Sequence, residues 1–380
     1  MRSSRPKPIH RLCGRAMASY VLDTLAATGV REGVVVTGRD GSRVAKRLLE
    51  DTPGFPVRFV EQKFDAGTAD AVLAGLSGFD EIDDEGDLLI VPADLPLLRS
   101  NLLERLVDVH RTSGAACSVL TVTAPARPNR LPGQFLDDAT AGPEADVVRR
   151  DRHDRVEALE PPRPEAGLTS RAVPADRVPD IDREGAGTEA MEERSTGVFC
   201  VRRGLLAPAL RRAAEDSVDG RGRLAEVVEV LAASGHSCVT MSVAPVADLV
   251  PVGDRRQLAE TEAEMRRRTN RYWLSMGVTM VDPDRTYIDT TVALGTDVTL
   301  FPGTFLQGTT TIGDGCELGP DTRLDGCSIG ANVIMEQTTA RLAAVGDDCR
   351  VGPYAVLAPG THLGAGTVTG AFYAGDGSAT

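Results

Sequence analysis

The sequence predicts an α/β domain that is followed by a connector helix and a parallel β-helix. The chain has 380 residues, which exceeds one ordinary domain and suggests two. Short apolar runs alternate with helical patterns near the N-terminus, and an aliphatic residue recurs at every sixth position near the C-terminus. We expect the α/β domain at residues 1–253, the connector helix at 254–276 and the β-helix at 277–380.

Composition and charge exclude several function classes. The net charge of -13 argues against a protein that coats nucleic acid or an anionic membrane. The seven cysteines include no CxxC pair, so we expect reduced thiols in a cytoplasmic protein without a zinc site. The chain begins without an apolar signal-peptide core and has no long apolar segment, so we expect neither secretion nor membrane insertion.

The first part of the chain, residues 14–125, alternates β-like runs with helical patterns. The runs are GVVVT, VRFV, DLLIV and CSVLTV. This alternation is typical of an α/β domain with a largely parallel sheet. Ligands bind at the carboxyl ends of such strands, so Asp94, which closely follows DLLIV, is a candidate ligand-binding residue. Alternatively, Asp94 caps the helix that is predicted after Pro96.

The segment 126–194 interrupts this pattern with residues that are rich in proline and charge, and it predicts irregular insertions around one strand near 155–159. Apolar runs return between 197 and 243 and can complete the sheet. From Asp254 onwards, Glu and Arg residues lie three and four positions apart, which predicts a mostly solvated connector helix.

The C-terminal repeat has a regular period. Aliphatic residues occupy every sixth position from Ile288 to Leu324, often before a glycine, which is the hexapeptide pattern of a parallel β-helix. A second run with the same period begins at Val345. Because the phase slips by three residues between the two runs, we expect a projecting loop or a bulged coil between Leu324 and Val345.

Local motifs resemble those of one bacterial enzyme family. The motifs are MRSSRPKPIHRLCGRAM, VEQKFDAGTADAV, VPADLPLL and VGDRRQLAE. With the domain order, they resemble the bifunctional N-acetylglucosamine-1-phosphate uridyltransferase/glucosamine-1-phosphate acetyltransferase over nearly the whole chain. The resemblance implies a Rossmann-like nucleotidyltransferase domain, a left-handed parallel β-helix and a homotrimer that forms through the β-helix.

The implied reaction joins UTP and N-acetylglucosamine-1-phosphate to give UDP-N-acetylglucosamine, a peptidoglycan precursor, and pyrophosphate. The attacking phosphate is already anionic, so the reaction needs positioning and charge neutralisation rather than a general base. A Mg2+ ion on both phosphates and a lysine on the triphosphate suit that task.

The resemblance assigns catalysis to Lys7 and Asp94, with Mg2+ bound by Asp94, although Lys7 could equally be a solvated charge of a basic tail. Gly253 occupies the position of the family's second metal ligand and has no side chain. Asp254, one position later, either substitutes for that ligand or only caps the connector helix. The other implied contacts hold the substrates: Gln62, Gly67, Thr68, Ala93, Glu160 and Ser195. For Gln62 and Thr68, a structural polar pair remains the alternative to nucleotide binding.

Departures from the family affect the sugar side and the second activity. Ser195 stands where one family motif has an Asn, and GRGRLAE stands where the family has an acidic segment. We expect these changes to affect recognition of N-acetylglucosamine more than nucleotide binding. Ala358 replaces an arginine and Asp376 falls near a lysine of the acetyltransferase site, so we expect no acetyltransferase activity. A different sugar, or a non-catalytic module for assembly or nucleotide sensing, remains the alternative.

The chain ends also differ from the family pattern. Met1 aligns with the methionine that closes the family's Gly-rich phosphate loop, and the last residues precede the family's histidine-bearing coil. We therefore expect an N-terminally truncated and C-terminally shortened member.

Without the backbone amides of the Gly-rich phosphate loop, residues 1–380 should bind UTP weakly, which calorimetry would measure.

Overall fold

A computed structural model describes residues 3–63, 67–79, 86–125, 145–161, 191–216, 222–244 and 247–376. The chain divides into two compact units. The α/β unit comprises Arg2–Ile9 and Ala18–Val252, and the β-helix unit contains His10–Met17 and Gly253–Thr380. The segment His10–Met17 therefore groups with the C-terminal part rather than with the domain predicted at 1–253. Backbone hydrogen bonding accounts for this, since Thr290 N donates to Cys13 O at 3.1 Å.

The elements that precede the connector helix alternate between strands and helices. In chain order they are β1 (Arg11–Leu12), β2 (Arg15–Ala16), α1 (Met17–Ala27), β3 (Gly33–Thr37), α2 (Gly41–Asp51), β4 (Val57–Glu61), α3 (Thr68–Leu76), β5 (Asp87–Ile90), α4 (Ser100–Ser113), β6 (Cys117–Pro125), β7 (Val147–Arg150), β8 (Val156–Glu160), β9 (Met191–Arg202), α5 (Arg203–Asp216), α6 (Glu226–Ala233) and β10 (Cys238–Val243).

The main sheet of the α/β unit is mixed, which corrects the expectation of a largely parallel sheet. Its order is β10-β6-β9-β7-β8, with β5 also paired to β9. Strand β10 runs parallel to β6, whereas β9 runs antiparallel to both β5 and β6. The β7–β8 connection is too short for a parallel crossover, so these strands form an antiparallel pair. The β8 strand agrees with the one predicted near residues 155–159.

The central strands β6 and β9 are buried on both faces, which explains the continuous apolar runs CSVLTV and GVFCV. Val119 and Phe199 belong to the core cluster on one face, together with residues of α5 and α6. Their chain neighbours Leu120 and Val198 belong to the cluster on the other face, with residues of α4. Successive side chains of each strand point to opposite faces of the sheet, so one strand contributes apolar residues to both cores.

The β-helix unit starts with a long helix and continues in short strands. They are α7 (Arg255–Ser275), β11 (Thr279–Met280), β12 (Thr286–Ile288), β13 (Ala293–Leu294), β14 (Thr299–Leu300), β15 (Thr304–Gln307), β16 (Thr311–Ile312), β17 (Glu317–Leu318), β18 (Arg323–Asp325), β19 (Ser328–Ile329), β20 (Ile334–Met335), β21 (Thr339–Arg341), β22 (Ala344–Val345), β23 (Arg350–Val351), β24 (Val356–Leu357), β25 (His362–Leu363) and β26 (Ala374–Gly375).

Within residues 277–376 these strands form three parallel sheets of five, six and five strands, the three faces of a coil. The inward positions of most strands are aliphatic and buried, as Leu300, Leu306, Ile312, Leu318 and Leu324 show. The predicted fold class, a Rossmann-like nucleotidyltransferase domain followed by a left-handed parallel β-helix, is confirmed. Among the residues described, no helix is both long and apolar enough to cross a membrane.

The phase slip produces neither a projecting loop nor a bulged coil, so that prediction is wrong. After Leu324, the buried inward residues are Ile329, Met335, Ala340 and Val345. Three of the four intervals are one residue shorter than the hexad, and ladder pairing continues from Leu324 to Ala340 and from Ile329 to Val345. The shortening falls at the corners, where a lost residue leaves the paired strands intact.

The inward residues should control the stability of the β-helix. Leu318 is fully buried, so Leu318→Ala should lower the free energy of unfolding by about 3 kcal/mol through lost burial and a cavity. Trp273 is the only tryptophan and packs against this core, so its fluorescence during urea unfolding reports on this unit. The exposed neighbour Glu317 provides the control, since Glu317→Ala should change the free energy by less than about 0.5 kcal/mol. Equal losses in both variants would contradict the inward assignment.

Candidate active site

An ion pair joins two predicted site residues of the α/β unit. Asp94 lies in the turn after β5, and Lys7 begins the short 3-10 helix Lys7–Ile9. Lys7 Nζ lies 2.5 Å from Asp94 Oδ2, and the two side chains are 41% and 23% exposed. The pair is therefore reachable from solvent and combines a cation with a carboxylate beside the end of a strand.

The backbone around Asp94 is held by burial and by a hydrogen bond. Leu95, Leu97 and Leu98 are buried next to it, and Val252 N donates to Asp94 O at 2.9 Å. Asp94 does not cap the following helix, because α4 starts at Ser100 and has no side-chain cap. The capping alternative for Asp94 is thus excluded, and its carboxylate remains available for other contacts.

A bulge in β9 lies beside Ser195 and brings Gly197 close to Pro92, which precedes the Asp94 turn. The β6–β9 register shifts between Leu120 and Thr121, and Gly197 N donates to Ser195 Oγ at 3.1 Å. Gly197 has a φ of +79°, and a Cβ atom there would lie 3.0 Å from Pro92 Cγ. Glycine is needed here both for the left-handed backbone and for this close approach.

The predicted nucleotide-side residues form a local network. Gln62 N donates to Thr37 O at 2.7 Å, while Gln62 Nε2 donates to Gly67 O at 3.1 Å and to Asp70 Oδ2 at 2.9 Å. Thr68 Oγ1 accepts a hydrogen bond from Leu224 N at 2.8 Å. These contacts support the structural alternative for Gln62 and Thr68. Binding of the nucleotide by these residues and by Gly67 stays a prediction.

The remaining predicted residues of the α/β unit lie on its strands or in the turn after β5. Glu160 closes β8, and its Oε1 lies 2.7 Å from Arg149 Nη1. Ser195 is buried, and its backbone N donates to Asp146 O at 2.8 Å. Ala93 is exposed in the turn just before Asp94. The roles of these three residues in substrate binding stay predictions.

Asp254 belongs to the β-helix unit and caps α7. Its Oδ1 accepts a hydrogen bond from Gln257 N at 2.7 Å, and Gln257 Oε1 accepts one from Asp254 N at 3.1 Å. This reciprocal arrangement is a capping box, which is the structural alternative that the sequence offered. Metal binding by Asp254 stays a prediction.

Sequence reasoning missed the pair formed by Arg223 and Asp146. Arg223 Nη1 lies 2.9 Å from Asp146 Oδ1, and Arg223 Nη2 donates to Leu159 O at 3.3 Å. Burial raises the pKa of the Asp146 carboxyl above its usual range, and the neighbouring Arg223 opposes that rise. The two residues lie far apart in sequence, so no periodicity signals their pairing.

The close approach at Gly197 yields a stability prediction. Gly197→Ala should lower the free energy of unfolding by about 2 kcal/mol, because a left-handed residue gains a Cβ and the Pro92 turn must move. The matched control is Gly235, which has a φ of +83° but lies in open space, since no atom of the described residues would be within 4 Å of a Cβ there. Gly235→Ala should lose only about 1 kcal/mol in urea unfolding followed by circular dichroism. Equal losses would contradict the contact with Pro92.

Comparison with known proteins identifies the family. The family model of the MobA-like NTP transferase domain matches residues 1–230. The chain is 35% identical over 376 residues to the bifunctional protein GlmU of Rhodococcus opacus, a match that covers 98% of this chain and 68% of the relative. The GlmU protein of Streptomyces avermitilis is 32% identical over 372 residues, with 98% and 70% covered. That of Mycobacterium bovis is 33% identical over 374 residues, with 98% and 68% covered. The chain therefore belongs to the family of the bifunctional GlmU proteins and is a sugar-1-phosphate nucleotidyltransferase.

Proposed function

We propose that the chain transfers a uridylyl group from UTP to N-acetylglucosamine-1-phosphate and releases pyrophosphate. Family membership supports the class of reaction, and the Lys7–Asp94 pair is the observation that carries the proposal. The pair provides one positive and one negative side chain at an accessible strand end. Phosphoryl-transfer sites use cations of this kind to neutralise charge on the phosphates.

The chemistry asks little of the protein beyond positioning. A phosphate oxygen of the sugar phosphate forms a bond to the α-phosphorus of UTP, and the bond from that phosphorus to the bridging oxygen breaks as pyrophosphate leaves. No proton has to be removed from the attacking phosphate. Lys7 is proposed to offset the charge of the triphosphate, since a lysine acts as a compact positive charge.

Asp94 is proposed to hold Mg2+, which neutralises phosphate charge when it is bound. Among the residues described, no group of three or more His, Cys, Asp or Glu could hold a metal. This fits Mg2+, because Mg2+ commonly binds through one or two carboxylates and completes its shell with water and substrate phosphates. Asp254, whose Oδ1 caps α7, is the second proposed ligand on the resemblance alone.

The other predicted residues divide between the two substrates. Gln62, Gly67 and Thr68 are proposed to contact the nucleotide, since Thr68 begins α3, Gly67 precedes it and Gln62 donates to Gly67 O. Ala93, Glu160 and Ser195 are proposed to line the sugar side. The alternative is a non-catalytic, nucleotide-sensing or assembly module, which the internal hydrogen bonds of Gln62 and Thr68 favour.

We also propose a homotrimer that forms through the β-helix. An exposed aromatic stack supports it, since the rings of Tyr354 and Phe372 lie 5.1 Å apart and both residues are more than half exposed. Sedimentation velocity that shows only a monomer would contradict this assembly.

The mechanism predicts a specific loss in the Asp94 variant. Asp94→Asn keeps the size of the side chain but removes its charge, so pyrophosphate release with UTP, Mg2+ and N-acetylglucosamine-1-phosphate should fall by about 100-fold or more. Asp108 is exposed on α4 and provides the control, since Asp108→Asn should leave the rate unchanged. An unchanged rate in Asp94→Asn would remove Asp94 from the mechanism. A wild-type chain that binds UTP but turns over no sugar-1-phosphate would favour the sensing module.

The β-helix is proposed to lack acetyltransferase activity. An anionic sugar phosphate needs positive side chains, whereas the two relevant positions hold Ala358 and Asp376. His362 lies on β25 with an exposed side chain. Incubation with acetyl-coenzyme A and glucosamine-1-phosphate should release no free thiol above background. Substrate-dependent release of thiol would overturn this proposal.

A further inference from the structure

The segment Gly222–Leu224 contacts the nucleotide side of the α/β unit through its backbone. Gly222 O accepts a hydrogen bond from Ala69 N at 3.0 Å, and Leu224 N donates to Thr68 Oγ1 at 2.8 Å. A Cβ atom on Gly222 would lie 3.1 Å from Ala69 Cβ, so the segment packs closely on the start of α3. Both hydrogen bonds are independent of the Arg223 side chain.

The Arg223 side chain contacts the sugar side of the same unit. Its Nη1 lies 2.9 Å from Asp146 Oδ1, and its Nη2 donates to Leu159 O at 3.3 Å. Asp146 O in turn accepts from Ser195 N at 2.8 Å, and Leu159 is the chain neighbour of Glu160. The guanidinium therefore contacts the β8 backbone beside Glu160 directly, and it reaches Ser195 on β9 through Asp146.

Glu226 fixes Arg223 at two points. Glu226 Oε2 accepts a hydrogen bond from Arg223 N at 3.0 Å, and Glu226 Oε1 lies 3.4 Å from Arg223 Nε. A flexible surface ion pair would contribute little to stability or to geometry. Arg223 differs from such a pair, because its side chain is only 34% exposed and contacts two carboxylates and a carbonyl at once.

We propose that Arg223 is a positioning residue that joins the nucleotide side to the sugar side of the site. This role rests on the proposed function, since the two sides are defined by the substrates assigned to them. Arg223 holds Asp146 and Leu159 in place, and these residues in turn fix Ser195 and Glu160. Without the guanidinium, Asp146 would remain as a partly buried carboxylate without its main cation.

The loss of Arg223 should therefore weaken the binding of one substrate more than that of the other. In Arg223→Met, the KM for N-acetylglucosamine-1-phosphate should rise about tenfold, because charged hydrogen bonds to the sugar side are lost. The KM for UTP should stay within about twofold, since the backbone bonds to Thr68 and Ala69 remain. Arg223→Lys should recover only part of the sugar KM, because lysine has no planar fork of donors.

The matched control is Arg58, an arginine on β4 with similar contacts. Arg58 Nη2 lies 3.1 Å from Glu32 Oε2, and Arg58 Nη1 donates to Gly78 O at 2.8 Å. Arg58→Met should leave both KM values unchanged. An unchanged sugar KM in Arg223→Met, an equal rise in Arg58→Met, or full recovery in Arg223→Lys would overturn the positioning role.

Hydrogen exchange separates this role from the proposed function. Peptides that cover residues 145–161 and 191–197 should exchange faster in Arg223→Met than in the wild type, whereas residues 33–37 and 57–61 should not change. If the wild type turns over no sugar-1-phosphate, the proposed function fails while this measurement still judges Arg223. Unchanged exchange in both peptides would overturn the joining role whatever the activity.

Discussion

Strand β9 is the element on which the arrangement of the α/β unit depends. It pairs with β6 along its whole length, and on its other edge it pairs first with β7 and then with β5. The register shift at Leu120 and Thr121 lets this one strand satisfy both partners, and Gly197 supplies the left-handed backbone beside it. The bulge places Gly197 against Pro92, two residues before Asp94, so the pairing of this one strand constrains the chain that leads to the site.

Much of the fold could be predicted because burial imposes a period. Each inward position of the β-helix must be apolar, so Leu300, Leu306 and Ile312 repeat visibly in the sequence. The direction of β9 was not predictable, since an apolar run looks the same in a parallel or an antiparallel strand. The phase slip was misread for a related reason. The loss of three residues and the insertion of three residues shift a six-residue repeat by the same phase, so the sequence pattern cannot distinguish them.

At the candidate site, residues that a local motif marks could be predicted, whereas contacts between distant segments could not. Asp94 was found because it follows an apolar strand, and Lys7 was found through a motif that resembles one family. Arg223 and Asp146 were missed, because a charged pair between distant segments has no spacing rule. Thr68 was identified as a polar residue of interest, but its hydrogen-bond partner, the amide of Leu224, depends on how a remote loop packs.

The shortened coils fix the register in which the layers of the β-helix stack. Leu306 pairs with Leu324 eighteen residues later, whereas Leu324 pairs with Ala340 only sixteen residues later. A solenoid of identical coils could stack one layer out of place and still bury similar residues. Here a misplaced layer would match coils of different circumference and would set Ala340 opposite the wrong neighbours. The irregularity that obscured the repeat in the sequence thus marks one layer as unique and opposes slippage during folding.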